Sequence, residues 1–102
     1  MVEVKGVTLV RDSVALFPDA RTVRGRRHLL ELKELKKLGY RTAVFFVVQR
    51  DDAKSFAPNF ERDPSFAEAL TEAKMGGVEI YAFTSKVTLK GLEITTELPV
   101  SM

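Results

Sequence analysis

The segment 41–49 constrains the fold more than any other part of this sequence. It is a nearly continuous run of β-branched and aromatic residues that directly follows a segment with helical periodicity. Such a run is typical of a strand in the middle of a sheet that is covered on both faces. We therefore expect a central strand here, with Gln49 and Arg50 emerging at its carboxyl end, where open α/β sheets usually place ligands.

A helix is predicted to precede this strand, over Val23–Leu38. Asp19 or Thr22 is expected to cap its first turn. Arg24 and His28 fall inside the apolar arc of the helical wheel, stacked four residues apart, and are expected to face inward. The apolar arc is formed by four leucines, namely Leu29, Leu32, Leu35 and Leu38.

The remaining segments complete a pattern of two helices and several strands. The order β-β-α-β-α-β-β predicts a mixed α/β sheet with two helices. The segment 51–62 shows no clear period and is expected to be an ordered loop, since it contains two phenylalanines. The other expected elements are a first strand over 2–10, a returning strand over 13–17, a helix beginning at Asp63-Pro64, and a final strand pair over 78–83 and 89–98.

Length and composition indicate one domain that works without cysteine chemistry. The chain has 102 residues, 45% of them apolar, which suffices for one modest core. The absence of cysteine excludes disulfides, thiolate metal sites and a cysteine nucleophile. No apolar run is long enough to span a bilayer and the first residues are partly charged, so we expect a cytoplasmic protein with no membrane partner. A sequence pI of about 9.0 leaves room for an anionic partner.

The first strand carries a carboxylate and an ammonium two residues apart. Glu3 and Lys5 must project from one face of a strand, whereas Val2 and Val4 project from the other and are expected to face the core. A carboxylate can bind Mg²⁺, and a neighbouring ammonium can stabilise charge that develops on a phosphate. The alternative is an exposed ion pair that contributes less than about 1 kcal/mol.

Seven short sequence motifs, in order along the chain, resemble those of one known family. They are Val2–Leu9, Ala15–Ala20, Arg24–Leu29, Phe46–Arg50, Asp63-Pro64, Gly77–Glu79 and Leu98–Val100. On these motifs the chain is identified as similar to the sugar fermentation stimulation (SfsA) proteins.

The resemblance implies a particular architecture. The family joins an N-terminal OB-like nucleic-acid-binding domain to a C-terminal domain that resembles the restriction-endonuclease, or PD-(D/E)xK, fold. The present chain resembles only the second part, so residues 1–102 are expected to form a single domain with a truncated restriction-endonuclease-like core. The strand that carries the metal-binding aspartate of that fold would precede Glu3 and is not found in this sequence.

The resemblance also implies a function. The intact family member is expected to be a DNA-binding protein with a Mg²⁺-dependent, nuclease-like phosphodiesterase site, which is incomplete in this chain. The alternative is a DNA-binding regulatory module of sugar metabolism that cleaves nothing.

The resemblance implies roles for seven residues. The catalytic residues would be Glu3, Lys5 and Gln49, and Glu3 would also be a weak ligand of Mg²⁺. The residues that contact nucleic acid would be Arg24, Arg26, Arg27 and His28.

Structural alternatives remain open for these residues. His28 and Arg24 could instead pair with Asp19 or with a backbone carbonyl. Gln49 could be a satisfied amide at the end of a strand. A solvated face alone could be formed by the exposed basic side chains Arg26, Arg27, Lys33 and Lys37.

The first strand is also expected to associate with a second copy. Without the strand that carries the aspartate, its backbone groups would lie at a free edge flanked by Val2, Val4 and Leu9. Antiparallel pairing of two such edges would form a homodimer and would bring the two Glu3 side chains towards one site.

Overall fold

The computed structural model describes residues 1–102 and confirms a mixed α/β fold with two helices. Nine elements follow one another along the chain, namely two helices and seven strands, and the strands form two sheets. They are β1 Val2–Val7, β2 Leu9–Arg11, β3 Val14–Phe17, α1 Val23–Lys37, β4 Ala43–Val48, β5 Ser55–Pro58, α2 Pro64–Met75, β6 Glu79–Thr88 and β7 Gly91–Leu98.

The larger sheet has the order β1-β4-β6-β7. The first three strands are parallel, and β7 runs antiparallel to β6. The predicted central strand is confirmed, because β4 pairs with a strand on each side. One face of this sheet packs against both helices: Phe46 of β4 shares a buried core with Leu29 and Leu32 of α1 and with Phe66 and Leu70 of α2.

The prediction that β4 is covered on both faces is wrong. Phe45 projects from the face away from the helices and is only partly buried. Its ring packs edge-on against Tyr81 and Phe83, with centroids 5.3 and 5.9 Å apart. These rings shield one another within the sheet, so a run of apolar residues arises here without a covering layer.

The predicted single first strand is in fact two strands that belong to different sheets. The chain leaves the larger sheet after Val7, and β2 joins a second sheet with the order β2-β3-β5. The returning strand predicted over 13–17 is confirmed, since β3 pairs antiparallel with β2 in a hairpin where Leu9 lies opposite Leu16. Asp12 and Ser13 have φ angles of 52° and 67°, as a tight hairpin turn requires.

The predicted loop 51–62 contains a strand that sequence reasoning missed. β5 pairs in parallel with β3, and its Phe56 is fully buried and stacks on Phe46 with ring centroids 4.4 Å apart. β5 is short and lies at the edge of its sheet, where Pro58 is tolerated. A four-residue strand that ends in proline therefore looked like a loop in the sequence.

The caps of both helices are confirmed, and they contact each other. Thr22 caps α1, since its Oγ1 accepts a hydrogen bond from the Gly25 N–H at 3.0 Å. Asp63 caps α2 through Oδ1, which accepts from the Phe66 N–H at 3.0 Å. The Asp63 Oδ2 also accepts from the Thr22 N–H at 2.8 Å, so the two helices begin side by side. Neither helix has the length and apolar character that a membrane-spanning helix needs.

Two predictions about which side chains face the core are wrong. Val2 and Val4 are each 60% exposed, whereas Glu3 and Lys5 lie on the helix side of β1 and are partly buried. The core beneath β1 begins only at Val7, so charged residues can occupy its helix side nearer the start. Arg24 was expected to face inward but is exposed, because around the helix axis it lies further from the buried Leu29 and Leu32 than His28 does.

Candidate functional site

Three side chains from two elements converge at the edge of the larger sheet. The Glu3 Oε1 lies 3.1 Å from the Lys5 Nζ and 3.2 Å from the His28 Nδ1. The Lys5 Nζ lies 3.3 Å from the same His28 nitrogen. We call these three side chains the Glu-Lys-His cluster. The structure thus unites a carboxylate, an ammonium and an imidazole within hydrogen-bonding distance.

Pairing with β4 and the packing of α1 hold the Glu-Lys-His cluster in place. Glu3 and Lys5 lie beside Val44 and Phe46 of the central strand, so their backbone positions are set by the most buried strand of the fold. His28 lies in the second turn of α1, next to the buried Leu29. The sequence predicted His28 to face inward, and it does so by contacting the charged start of β1.

The carboxyl group of Glu3 is held in its ionised form. Burial raises the pKa of Glu3, but the hydrogen bond from Lys5 and the charges of Lys5 and His28 lower it by more. The net result is a pKa below the ordinary value. At neutral pH the cluster therefore presents a carboxylate to any ligand that approaches.

The His28 Nδ1 faces a donor and an acceptor at once. With a proton on Nδ1 it can donate to Glu3, and without one it can accept from Lys5. A single nitrogen cannot do both. The cluster can therefore exist with a proton on the His28 Nδ1 or without one. A group that can hold or give up a proton in this way can serve in acid–base catalysis.

A divalent cation fits this cluster only partly. All recorded contacts of the Glu3 carboxylate run to Oε1, so Oε2 is left for another ligand. No group of three or more His, Cys, Asp or Glu side chains in the structure could hold a metal ion. Mg²⁺ commonly keeps several waters and binds one or two carboxylates together with substrate phosphate. Glu3 could therefore supply one ligand, and water or phosphate oxygens would supply the others.

The predicted nucleic-acid-binding arginines do not share one surface. At about 100° per residue, Arg24, Arg27 and His28 lie within an arc of about 100° on α1, whereas Arg26 lies on another side of the helix. Arg26 lines a hollow beside α2 together with Asp63. None of the three arginines has a carboxylate within 4.0 Å, unlike Arg41. Arg24 and Arg27 therefore carry unpaired charges within the same arc of α1 as His28.

Gln49 lies apart from the cluster. Its side-chain nitrogen lies 3.3 Å from the position that a Cβ on Gly6 would occupy. Because side chains alternate along β1, that position is on the face opposite Glu3 and Lys5. The structure therefore brings Gln49 to the same strand but not to the same side.

Asp63 is a positioning residue that the sequence revealed only in part. Its place before Pro64 predicted the cap of α2, which is confirmed. Its second contact, to the Thr22 N–H, joins positions 41 residues apart, and no local pattern predicts it. Through Thr22 it fixes the start of the helix that carries Arg24 and His28.

Comparison with known proteins identifies the family. The family model described as "Sugar fermentation stimulation protein RE domain" matches residues 1–91. The chain belongs to the sugar fermentation stimulation (SfsA) family. A sugar fermentation stimulation protein homolog of Natranaerobius thermophilus is 52% identical over 101 residues, which are 99% of this chain and 42% of that protein. A homolog of Moorella thermoacetica is 58% identical over 82 residues, 80% of this chain and 35% of that protein.

A solved SfsA structure has the same fold. The structure of Pyrococcus furiosus SfsA in complex with Ca²⁺ matches 99% of this chain with a TM-score of 0.91 and 36% sequence identity. The match covers 44% of that protein. The chain therefore spans less than half the length of the SfsA proteins that it resembles, and the family resemblance and fold class inferred from its sequence are confirmed.

Proposed function

We propose that this SfsA chain contacts the phosphate backbone of DNA and carries an incomplete, cation-assisted phosphodiesterase site. The observation that carries this proposal is the convergence of Glu3, Lys5 and His28 within 3.1 to 3.3 Å. Two unpaired arginines, Arg24 and Arg27, lie in the same arc of α1 as His28. A carboxylate next to cationic donors suits a phosphodiester, which brings negative charge and can share a metal ion. The cytoplasm is the location that fits this role.

Each residue has a distinct role in this proposal. Lys5, Arg24 and Arg27 attract phosphate, and arginine can bind it through two parallel hydrogen bonds. The Glu3 Oε2 contributes one ligand to a divalent cation, which when bound would neutralise charge on the phosphate. His28 takes up or releases a proton at Nδ1. Arg26 and Gln49, which lie elsewhere, have no part in this arrangement.

The SfsA protein from Pyrococcus furiosus supports the proposal that a divalent cation takes part in this site. That protein was solved in complex with Ca²⁺, a hard cation that takes oxygen ligands as Mg²⁺ does. With one carboxylate, the present chain should bind such a cation only weakly, in the millimolar range typical of the weakest Ca²⁺ sites.

NMR can test the cation site because His28 is the single histidine of the chain. We propose titrating Ca²⁺ and Mn²⁺ while following the imidazole signals of wild type, Glu3→Gln and Glu93→Gln. Glu93 is an exposed carboxylate on β7 and serves as a matched control. The signals should shift with Ca²⁺ and broaden with Mn²⁺ in wild type and in Glu93→Gln, but not in Glu3→Gln. If the imidazole signals of all three proteins respond equally to the cations, Glu3 is not a ligand.

A second candidate is a DNA-binding regulatory module that cleaves nothing. The observation that favours it is the absence of a second carboxylate near Glu3, since no cluster of three metal-binding side chains exists in the structure. A plasmid-nicking assay with Mg²⁺ or EDTA separates the two candidates. This chain should be run beside a full-length family member. The phosphodiesterase site is supported if the full-length protein nicks DNA and if this activity requires both Mg²⁺ and the residue equivalent to Glu3. The regulatory module is supported if neither protein nicks DNA.

A further inference from the structure

The last two strands extend beyond the rest of the larger sheet. β4 ends at Val48, which pairs with Thr84 of β6. β6 continues to Thr88 and over this part pairs with β7 alone. Residues 85–94 therefore form a two-stranded ribbon, which we call the β6–β7 arm. The arm projects past the carboxyl ends of the parallel strands.

Hydrogen bonds fix both ends of the β6–β7 arm. At the base, Ser85 is buried and its hydroxyl donates to the Val48 carbonyl at 2.7 Å. At the turn, the Thr88 hydroxyl accepts from the Lys90 N–H at 3.2 Å and donates to the Gly91 carbonyl at 3.1 Å. The arm therefore has a defined shape and a defined direction.

The β6–β7 arm adds nothing to the core. Every residue from Lys86 to Ile94 is exposed except Thr88, which is partly buried. Val87 and Leu92 lie opposite each other and are 82% and 52% exposed, and Leu89 at the turn is fully exposed. Two strands without a packed face are only marginally stable, and clustered apolar side chains in water mark a surface for binding.

Given the contact with DNA proposed above, we propose that the tip of the β6–β7 arm enters the major groove of the same duplex. The major groove is about 12 Å wide and about 8.5 Å deep and admits a two-stranded ribbon, whereas the minor groove is only about 6 Å wide. Thr88 lies four residues beyond Thr84, and a strand rises about 3.3 Å per residue, so the arm extends about 13 Å. This length is enough to reach the floor of the groove.

The charges of the arm suit a polyanion at its tip. Lys90 has no carboxylate within 4.0 Å. Lys86 lies opposite Glu93, so these two charges compensate each other nearer the base. The turn therefore carries one net positive charge into the groove. The apolar side chains beside it can pack against thymine methyl groups but offer no donor or acceptor to the base edges, so the arm deepens the contact without reading the sequence.

The arm lies close enough to the Glu-Lys-His cluster for one duplex to contact both. Lys5 pairs with Phe46, which in turn pairs with Ala82. Ala82 is two strands from Lys5, or about 10 Å across the sheet, and Thr88 lies six residues further along, or about 20 Å. The tip is therefore about 22 Å from the backbone of Lys5, which is less than one turn of DNA, about 34 Å.

A single tryptophan tests the position of the tip, because the chain has none. Leu89→Trp places an indole at the turn of the arm. Met75→Trp is the matched control, since Met75 is 82% exposed at the end of α2, near the start of β6 and far from the tip. Duplex DNA at saturation should remove most of the quenching by acrylamide in Leu89→Trp and little of it in Met75→Trp. Equal quenching of Leu89→Trp with and without bound DNA would overturn the proposal.

A modified duplex tests which groove the arm enters. Bulky groups at C5 of the pyrimidines lie in the major groove and fill it, but they leave the phosphates accessible. Leu89→Trp should still bind this duplex, as fluorescence anisotropy measures, but its indole should again be quenched by acrylamide. Protection that persists on the modified duplex would overturn insertion into the major groove.

The charge at the turn is tested separately. Lys90→Ala should lower the slope of log K against log [salt] by about 1, as the loss of one phosphate contact does. Lys74→Ala, in the last turn of α2, is the control and should change the slope by less than half as much. Equal changes would contradict a contact at the tip. DNA binding without protection of Leu89→Trp overturns only the arm, whereas no DNA binding by wild type overturns the proposed function as well.

Discussion

The His28 Nδ1 lies 3.2 Å from the Glu3 Oε1 and joins the second turn of α1 to the first strand. Both side chains keep access to solvent, at 22% and 32% exposure. A contact that remains in water contributes little to stability, because solvent screens the charges. The pair is thus better placed to meet a ligand than to hold the fold together.

The first prediction compares His28 with a buried neighbour on the same helix. Leu32→Ala should lower the free energy of unfolding by about 2 to 5 kcal/mol, because it empties space in the core. His28→Ala should cost less than about 1 kcal/mol, because it removes only a polar contact that is partly exposed to solvent. Urea unfolding of the two variants and wild type measures the difference. Equal losses of stability would make His28 a structural residue.

The second prediction concerns duplex DNA. Binding should be independent of sequence and should weaken as salt rises, because the attraction is mainly to phosphates. The double variant Arg24→Ala/Arg27→Ala should reduce the slope of log K against log [salt] by about 2, since each lost phosphate contact removes about 1. Fluorescence anisotropy at several salt concentrations measures this slope.

Arg26 provides the control for that experiment. Arg26→Ala removes an arginine from the same helix but from the side that faces α2. The salt dependence of DNA binding should change in Arg26→Ala by less than half as much as it does in a single Arg24→Ala variant. An equal change in both variants would show that the basic charge of α1 acts as a whole and not through the arc that contains Arg24, Arg27 and His28.

The third prediction concerns Asp63, which caps α2 and binds the start of α1. Its two oxygens accept from the Phe66 N–H and the Thr22 N–H at 3.0 and 2.8 Å. Asp63→Ala should cost about 2 to 4 kcal/mol, because one helix cap and one further charge-assisted hydrogen bond are lost. Asp63→Asn should cost less, since one acceptor oxygen remains. Thermal or urea unfolding measures both, and equal losses would show that only the charge of Asp63 matters.

The sequence predicted those features that depend on neighbouring residues. Both helix caps, the β2–β3 hairpin and the central strand follow from local patterns, and the structure confirms them. The same patterns could not show that the first strand splits after Val7, because Thr8 is itself a good strand residue. Which sheet the chain enters next depends on contacts with β3, not on the residue at the break.

The candidate site was predictable only one element at a time. The spacing of Glu3 and Lys5 placed them together, and the helical wheel turned His28 inward. Their mutual contact depends on how α1 crosses the sheet, which no spacing within α1 encodes. The same limit explains why the sequence predicted that Gln49 lies at a strand end but not which face of the sheet its side chain is on.

The last prediction concerns acid stability and the carboxylate of Glu79. Oε1 and Oε2 accept hydrogen bonds from Arg41 at 2.9 and 2.6 Å, and the Tyr81 hydroxyl donates to Oε1 at 2.6 Å. The hydrogen bonds from Arg41, and then the one from Tyr81, lower the pKa of Glu79 from 4.5 to about 2. Between these two values the unfolded chain binds a proton at this position and the folded chain does not.

The stability from this group is therefore complete above about pH 4.5 and is lost as the pH falls towards 2. Wild type should have a higher melting temperature than Glu79→Gln at pH 6, and the two melting temperatures should converge near pH 2. Thermal unfolding between pH 6 and pH 2 measures this difference. At pH 6, 1 M salt should reduce the difference, because the Arg41 side chain is 82% exposed. A gap that does not change with pH would show that Glu79 titrates alike in the folded and unfolded chains.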